Sequence, residues 1–243
     1  MSATVYKLNQ SIIACERCPR LIEYCRRVSR DKRRAYRDFD YWGRPVPGAG
    51  DPRARVLLVG LAPAAHGANR TGRMFTGDGS GDFLTAALHR AGFASQPTST
   101  HRDDGLALRD LYIAAVTHCA PPGNKPTPQE IANCRPYLVE ALGLLAGLRV
   151  IVALGKIAFD GTLAALAEAG CPTPRPRPAF GHCAEYSIGP YRLIASYHPS
   201  RQNTQTGRLT KAMFDRVFRQ VRHGLDQNSY PFTATSTLPV SKS

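Results

Sequence analysis

Acidic side chains are scarce in this chain: Asp and Glu together number 18 against 32 Lys and Arg, for a formal net charge of +14 and a pI near 9.9. That imbalance points to a polyanionic partner, nucleic acid before a membrane surface. Lysine is scarce too, at 6 of the 32 basic residues. The Arg bias suits bidentate grip on phosphate oxygens. A GC-rich genome accounts for the ratio of Arg to Lys, but not for the excess of base over acid. No apolar run approaches the roughly 20 residues of a membrane span. The start, Met-Ser-Ala-Thr-Val-Tyr, lacks the charged-then-apolar pattern of a secretory signal, so a cytoplasmic location is expected, at the nucleoid when bound to DNA. Two motifs are missing: there is no Gly-x-x-x-x-Gly-Lys-Ser/Thr phosphate loop and no Gly-x-Ser-x-Gly elbow, which argues against a nucleoside triphosphatase and an α/β-hydrolase.

What remains is a globular composition, 43% hydrophobic with a mean hydropathy of −0.28, long enough to bury a sizeable core. Seven cysteines are an odd number for a chain without secretory features. Cys15 and Cys18 have ligand-like spacing, and Cys119 and Cys134 form a wider pair with fourteen residues between them. A structural metal or an iron–sulfur cluster is the use this pattern suggests for four of the seven, and the spacing alone leaves zinc open.

Along the chain, residues 5–34 read as one or two helices broken at Cys15–Pro19. A basic run follows from Arg26 to Arg37, then a turn-rich connector, Tyr41–Gly50, with the only Trp. From Arg55 strands and helices alternate. Strands are expected at 56–59, 111–116 and 149–154, and helices at 80–91, 127–145 and 156–169. Thr127-Pro-Gln-Glu130 carries an N-cap, a proline at the first helical position and a capping-box Glu. Residues 183–188 and 191–196 pair as strands, and a last helix spans 207–224. This order predicts a doubly wound, mainly parallel α/β sheet flanked by helices in three layers. Residues 1–225 then form one domain, its first 50 residues a helical segment and connector, and 226–243 a loosely held tail.

Such sheets bind ligands beyond the carboxyl ends of their strands. Three loops leave strand ends here, at 60–81, 117–125 and 196–206, and all three carry unusual polar residues. The first holds Phe75 and Asp78, the second Asn124 and the third His198. Each has a bland reading: Asp78 as the N-cap of the next helix, Asn124 as a turn residue, His198 as a structural histidine. Together they suit hydrolysis of a glycosidic bond to a planar base. Phe75 stacks on the base, Asn124 binds its edge, His198 stabilises charge on the departing ring, and Asp78 orients water and offsets charge on an oxocarbenium-like sugar.

The stretch Gly60-Leu-Ala-Pro-Ala-Ala-His-Gly-Ala-Asn-Arg-Thr-Gly-Arg-Met-Phe-Thr-Gly-Asp78 resembles the first motif of family 5 uracil-DNA glycosylases, the B-type enzymes of bacteria and archaea. Tyr41–Gly48, Cys119–Pro126 and His198-Pro-Ser200 resemble further segments of that family. The resemblance implies catalytic roles for Asp78, Asn124 and His198. It also implies a base pocket at Phe75, Ala64, Gly60 and Ala62, and a [4Fe–4S] cluster on Cys15, Cys18, Cys119 and Cys134. Arg70, Arg73, Arg201 and Ser200 are candidates for DNA contact, and Arg201-Gln-Asn-Thr204 for filling the space left by a flipped nucleotide. The implied enzyme is a monomer that removes uracil, and also hypoxanthine or xanthine, from double-stranded DNA, with single strands open to it as well. The target base must leave the stack first. Lys125 is the only lysine in these motifs, which favours hydrolysis without strand cleavage. The rival reading is a non-catalytic iron–sulfur nucleic-acid-binding protein, which leaves Asp78 and His198 without a purpose.

Overall fold

The computed structural model describes residues 3–227. Two helices open the chain, α1 (Ala3–Ile13) and α2 (Pro19–Asp31), and the break between them falls at Cys15–Cys18 as expected. Pro19 suits the first turn of α2 because its missing N–H would have no helical partner there. A 3₁₀ turn at Arg34–Tyr36 leads into the connector. Next come β1 (Ala49–Gly50), β2 (Val56–Gly60), the short α3 (Ala68–Thr71) and α4 (Gly79–Arg90). The second half runs β3 (Leu111–Ala115), α5 (Pro128–Leu144), β4 (Val150–Leu154), α6 (Lys156–Glu168), β5 (Glu185–Ile188), β6 (Tyr191–Ser196), α7 (Arg201–Gln205) and α8 (Lys211–Gln227).

Among the described residues six strands form one sheet in the order β1-β3-β2-β4-β6-β5. Its four central strands are parallel, and both edges, β1 on β3 and β5 on β6, are antiparallel. The continuous apolar strands follow from burial on both faces. Successive side chains alternate between two cores. Val56 and Leu58 join Leu84, Leu88, Phe214 and Phe218 under α4 and α8. Leu57 and Val59 join Leu138, Leu142, Phe159 and Leu163 under α5 and α6. This is the expected three-layer arrangement.

Two expectations shift. The last helix starts at Lys211 instead of 207, because residues 201–205 form α7, and it runs through Asp226, which was assigned to the tail. The rest of the expected tail lies outside the described residues. The Thr127–Glu130 capping box forms as read: Thr127 Oγ1 accepts from Glu130 N at 3.2 Å, and Glu130 Oε2 accepts from Thr127 N at 2.7 Å. Glu130 does more than the sequence shows. Arg20 donates to both its oxygens at 2.7 Å, joining α2 to α5 across 110 residues. That bond, with α1 packed on α5, fastens the N-terminal helices to the sheet.

Candidate active site at the carboxyl ends of the parallel strands

The loops after β2, β3 and β6 meet around a cleft of about 390 Å³. It is lined by Gly60, Ala62, Ala64, Phe75, Asp78, Asn124, His198 and Ser200, by Gln202 of the segment expected to fill the vacated space, and by Ser80, which the sequence did not single out. Seven of the expected base-site and catalytic residues therefore share one cavity. Ser80 sits two residues beyond Asp78, so proximity to the motif was the available signal.

Asp78 caps α4 and lines the cleft in a single geometry. Oδ1 accepts from the amides of Ser80 and Gly81, each at 2.9 Å, which caps α4. Oδ2 stands close over Gly67, where a Cβ would come within 2.0 Å of it. The cap thus fixes the carboxylate's orientation while its side chain lines the cleft. Asp82, one turn along α4, has its pKa raised, first by burial and then by the neighbouring Asp78, with Arg201 opposing. Arg201 crosses Gly79, so it stands at the acidic start of α4 beside the cleft.

Phe75 adopts a left-handed backbone conformation with φ of +51°, a strain of roughly 1–3 kcal/mol for a residue with a Cβ. Close packing holds it there: a Cβ at Gly60 would lie 2.8 Å from its ring, and one at Gly81 only 2.3 Å from its carbonyl oxygen. The ring is 5.9 Å from that of His198, at 32°. Burial pushes the His198 pKa down to about 4, so at neutral pH the imidazole is uncharged, with one N–H to donate. Its backbone carbonyl accepts from Asn203 Nδ2 at 2.8 Å. Ser200 caps α7, accepting from Asn203 N at 3.4 Å. Asn124 lies exposed at the cleft mouth with φ of +57°, a conformation Asn tolerates better than most residues.

Arg70 and Arg73 stand differently from the expectation of DNA contact. Both are turned inward. Arg70 is buried and donates to the carbonyls of His66 at 2.9 Å and Gly77 at 2.8 Å. Arg73 pairs with Asp104 at 2.8 Å and reaches Ser99 and Thr76. They brace the loop that carries Phe75 and Asp78, and with all these donors engaged inside the fold they are not placed to hold phosphate. Ser200 and Arg201 remain at the rim.

The four expected ligand cysteines gather on the far side of the loop after β3. Cys15, Cys18, Cys119 and Cys134 line one small cavity with Leu21, Ile22 and Tyr137. Burial raises the pKa of Cys18 and pushes that of Cys134 up to about 12, and Cys119 is raised as well, by its contact with Cys25 and then by burial. Raised values keep these groups as neutral thiols, and a bound cation would draw off their protons and offset the thiolate charge, which is the chemistry of a cysteine-ligated metal site. The residue types fit. As the side chains stand, no three described His, Cys, Asp or Glu residues form a ready-made metal-binding group.

A carboxylate, a carboxamide, a neutral imidazole and an aromatic ring, all facing one cleft at the carboxyl ends of parallel strands, define an α/β protein built to hold a planar base and hydrolyse the bond it hangs from. The chain belongs to the uracil-DNA glycosylase superfamily, whose family model matches residues 47–222. Within it the chain falls with the type-5 proteins. It is 49% identical over 223 residues to the type-5 uracil-DNA glycosylase of Mycobacterium bovis, covering 91% of this chain and 82% of the relative. To that of Thermus thermophilus it is 50% identical over 214 residues, covering 88% and 94%. Likeness to a type-4 uracil-DNA glycosylase from Pyrobaculum aerophilum is lower, at 29% over 197 residues covering 80% and 82%.

Proposed function

We propose that this protein is a uracil-DNA glycosylase that draws uracil out of DNA and hydrolyses its N-glycosidic bond, leaving an abasic site. The observation that carries the reading is that Phe75, Asp78, Asn124 and His198, from three separate loops, line one cleft. About 50% identity to type-5 enzymes over nearly the whole chain supports it. Residues 1–225 serve as one glycosylase domain and act as a monomer.

In this mechanism the base stacks on Phe75 and presents its edge to the carboxamide of Asn124. The uncharged His198 donates a hydrogen bond to the base oxygen on which negative charge grows as the bond breaks. A donor that is neutral before the reaction and needs no reorganisation is what such charge favours. Asp78, held by the two amides, faces the sugar with Oδ2 and stabilises the positive charge developing there. It also orients the water whose oxygen joins the sugar carbon. The water proton passes to Asp78, and the electron pair of the broken bond leaves with the base. Hypoxanthine and xanthine share the planar edge that Asn124 reads and are further substrates. Double-stranded DNA is the main one.

Cys15, Cys18, Cys119 and Cys134 would hold a [4Fe–4S] cluster. Those four residues come from the N-terminal helical segment, the loop after β3 and α5, so a cluster held by them would tie these segments together and serve a structural role.

The test is a labelled duplex with one uracil, incubated with protein and then treated with alkali. Alkali-dependent cleavage by wild type, abolished in Asp78→Asn with DNA binding retained, is the expected outcome. Binding without cleavage by the wild type would favour the non-catalytic reading.

A further inference from the structure

The connector between α2 and β1 is bonded to the loops that carry the cleft. Tyr41 Oη is 2.9 Å from His66 Nδ1, Trp42 N donates to Arg70 O, Gly43 N to Asn69 O, and Val46 N to His118 O. Those partners belong to the loops after β2 and β3, so this segment lies at the same end of the sheet as the site.

Two features set it apart. Phe39 is 44% exposed, one of only three large hydrophobic side chains so exposed among the described residues. A single exposed apolar ring is ordinary on a protein surface, but this one is built in. It stands edge-on to Tyr36 at 5.8 Å, and the Arg70 guanidinium lies 4.2 Å from the Tyr36 ring centroid and 4.8 Å from that of Phe39. Arg70 is the buried brace bonded to His66 and Gly77. The aromatic pair is therefore indexed to the loop that ends in Asp78. The second feature is charge. Between residues 32 and 44 there are five basic side chains and two acidic ones, and none of the seven forms an ion pair with another of the described residues. Trp42 adds a further stack between Arg44, at 4.3 Å, and Arg102, at 5.1 Å.

Cations that track phosphates, interleaved with aromatic faces for bases, are how proteins grip single-stranded nucleic acid. Drawing one nucleotide into the cleft breaks its pairing and strips its neighbours of a stacking partner. We propose that Phe39 stacks on an unpaired base beside the extruded nucleotide, while Arg33, Arg34, Arg37 and Arg44 hold the phosphates of that strand. This rests on the glycosylase reading above and adds where the opened strand is held.

The experiment measures binding in an Asp78→Asn background, with uracil placed in a single strand, in a mismatched bubble and in a fully paired duplex. Phe39→Ala should weaken binding to the first two by roughly tenfold and to the paired duplex by less. Phe39→Trp should restore it, and Phe39→Leu, bulky but without a π face, should not. Arg34→Ala with Arg37→Ala should lower the salt dependence on all three DNAs by about one phosphate contact each. With the active parent, the Phe39→Ala loss should appear in KM more than in the rate at saturating DNA. Equal weakening by Phe39→Ala on all three DNAs, or none, would overturn the proposal, and a thermal melt of each variant identifies a folding defect. Uracil excision by the wild type is scored separately. Its absence would remove the glycosylase reading while leaving the binding pattern to judge the surface.

Discussion

Gly67 and Asp78 are matched across the first loop: a Cβ on Gly67 would come within 2.0 Å of Asp78 Oδ2. Glycine here clears the space in which the carboxylate is aimed. Gly67→Ala should therefore leave the α4 cap largely intact but push Oδ2 aside. A misplacement of that scale can cost about 100-fold in rate. Single-turnover excision should fall by about that factor while DNA affinity changes little. A rate within a few-fold of wild type would show that the aim of Oδ2 is not critical.

The low pKa of His198 bears on pH. Burial lowers it to about 4, so the imidazole is largely uncharged from pH 8 down to about 5 and is half protonated near 4. The single-turnover rate should show no His198 inflection near the unperturbed value of about 6.5. His198→Gln, which keeps an N–H donor, should retain more activity than His198→Ala. An NMR titration placing the His198 pKa above 6 would contradict the assignment of a neutral donor.

Asp104 supplies a stability prediction with a definite sign. Burial works to raise its pKa, but hydrogen bonds from Leu106 N, Arg73, Thr100 N and His101 N outweigh it and hold the group at about 2. A carboxyl depressed in the folded state contributes stability above its unfolded pKa of about 3.9 and loses it as pH falls toward 2. Asp104→Asn also strands the half-buried Arg73, at a cost of roughly 1–3 kcal/mol at neutral pH. The gap in melting temperature between wild type and variant should be wide at pH 7 and close below pH 3.

The cysteine cavity predicts a metal content. Protein isolated without oxygen should carry iron and acid-labile sulfide, and Cys15→Ser with Cys18→Ser should lose both and melt at lower temperature. Zinc in place of iron in the wild type would leave the ligand set standing and change the metal.

Sequence patterning made the sheet readable because strands buried on both faces are continuously apolar, as at Val56–Val59 and Val150–Leu154. The capping box at Thr127 was readable because its partners are three residues apart. What escaped depends on contacts between distant segments. The inward turn of Arg73 needs Asp104, 31 residues away. Arg70 in the same motif looked equally free, and only the fold reveals that it is enclosed by the connector's aromatic rings. Phe75 was legible as an aromatic in the motif, but its left-handed backbone depends on Gly60 and Gly81 crowding it from two sides. For Asp78 the N-cap reading is borne out, and the same side chain lines the cleft, which only the fold reveals.

The cap that Asp78 makes, joined to the chemistry proposed for it, also constrains how this gene can change. Most replacements at that position would lose the amide cap and unsettle α4 along with the proposed chemistry. Asn is different: it caps helices about as well as Asp, and an Asp codon becomes an Asn codon by one G-to-A transition. That transition is the scar of a deaminated cytosine on the opposite strand, left uncorrected. The lesion this enzyme is proposed to remove is thus able, at one codon of its own gene, to yield a protein that folds, binds DNA and does nothing.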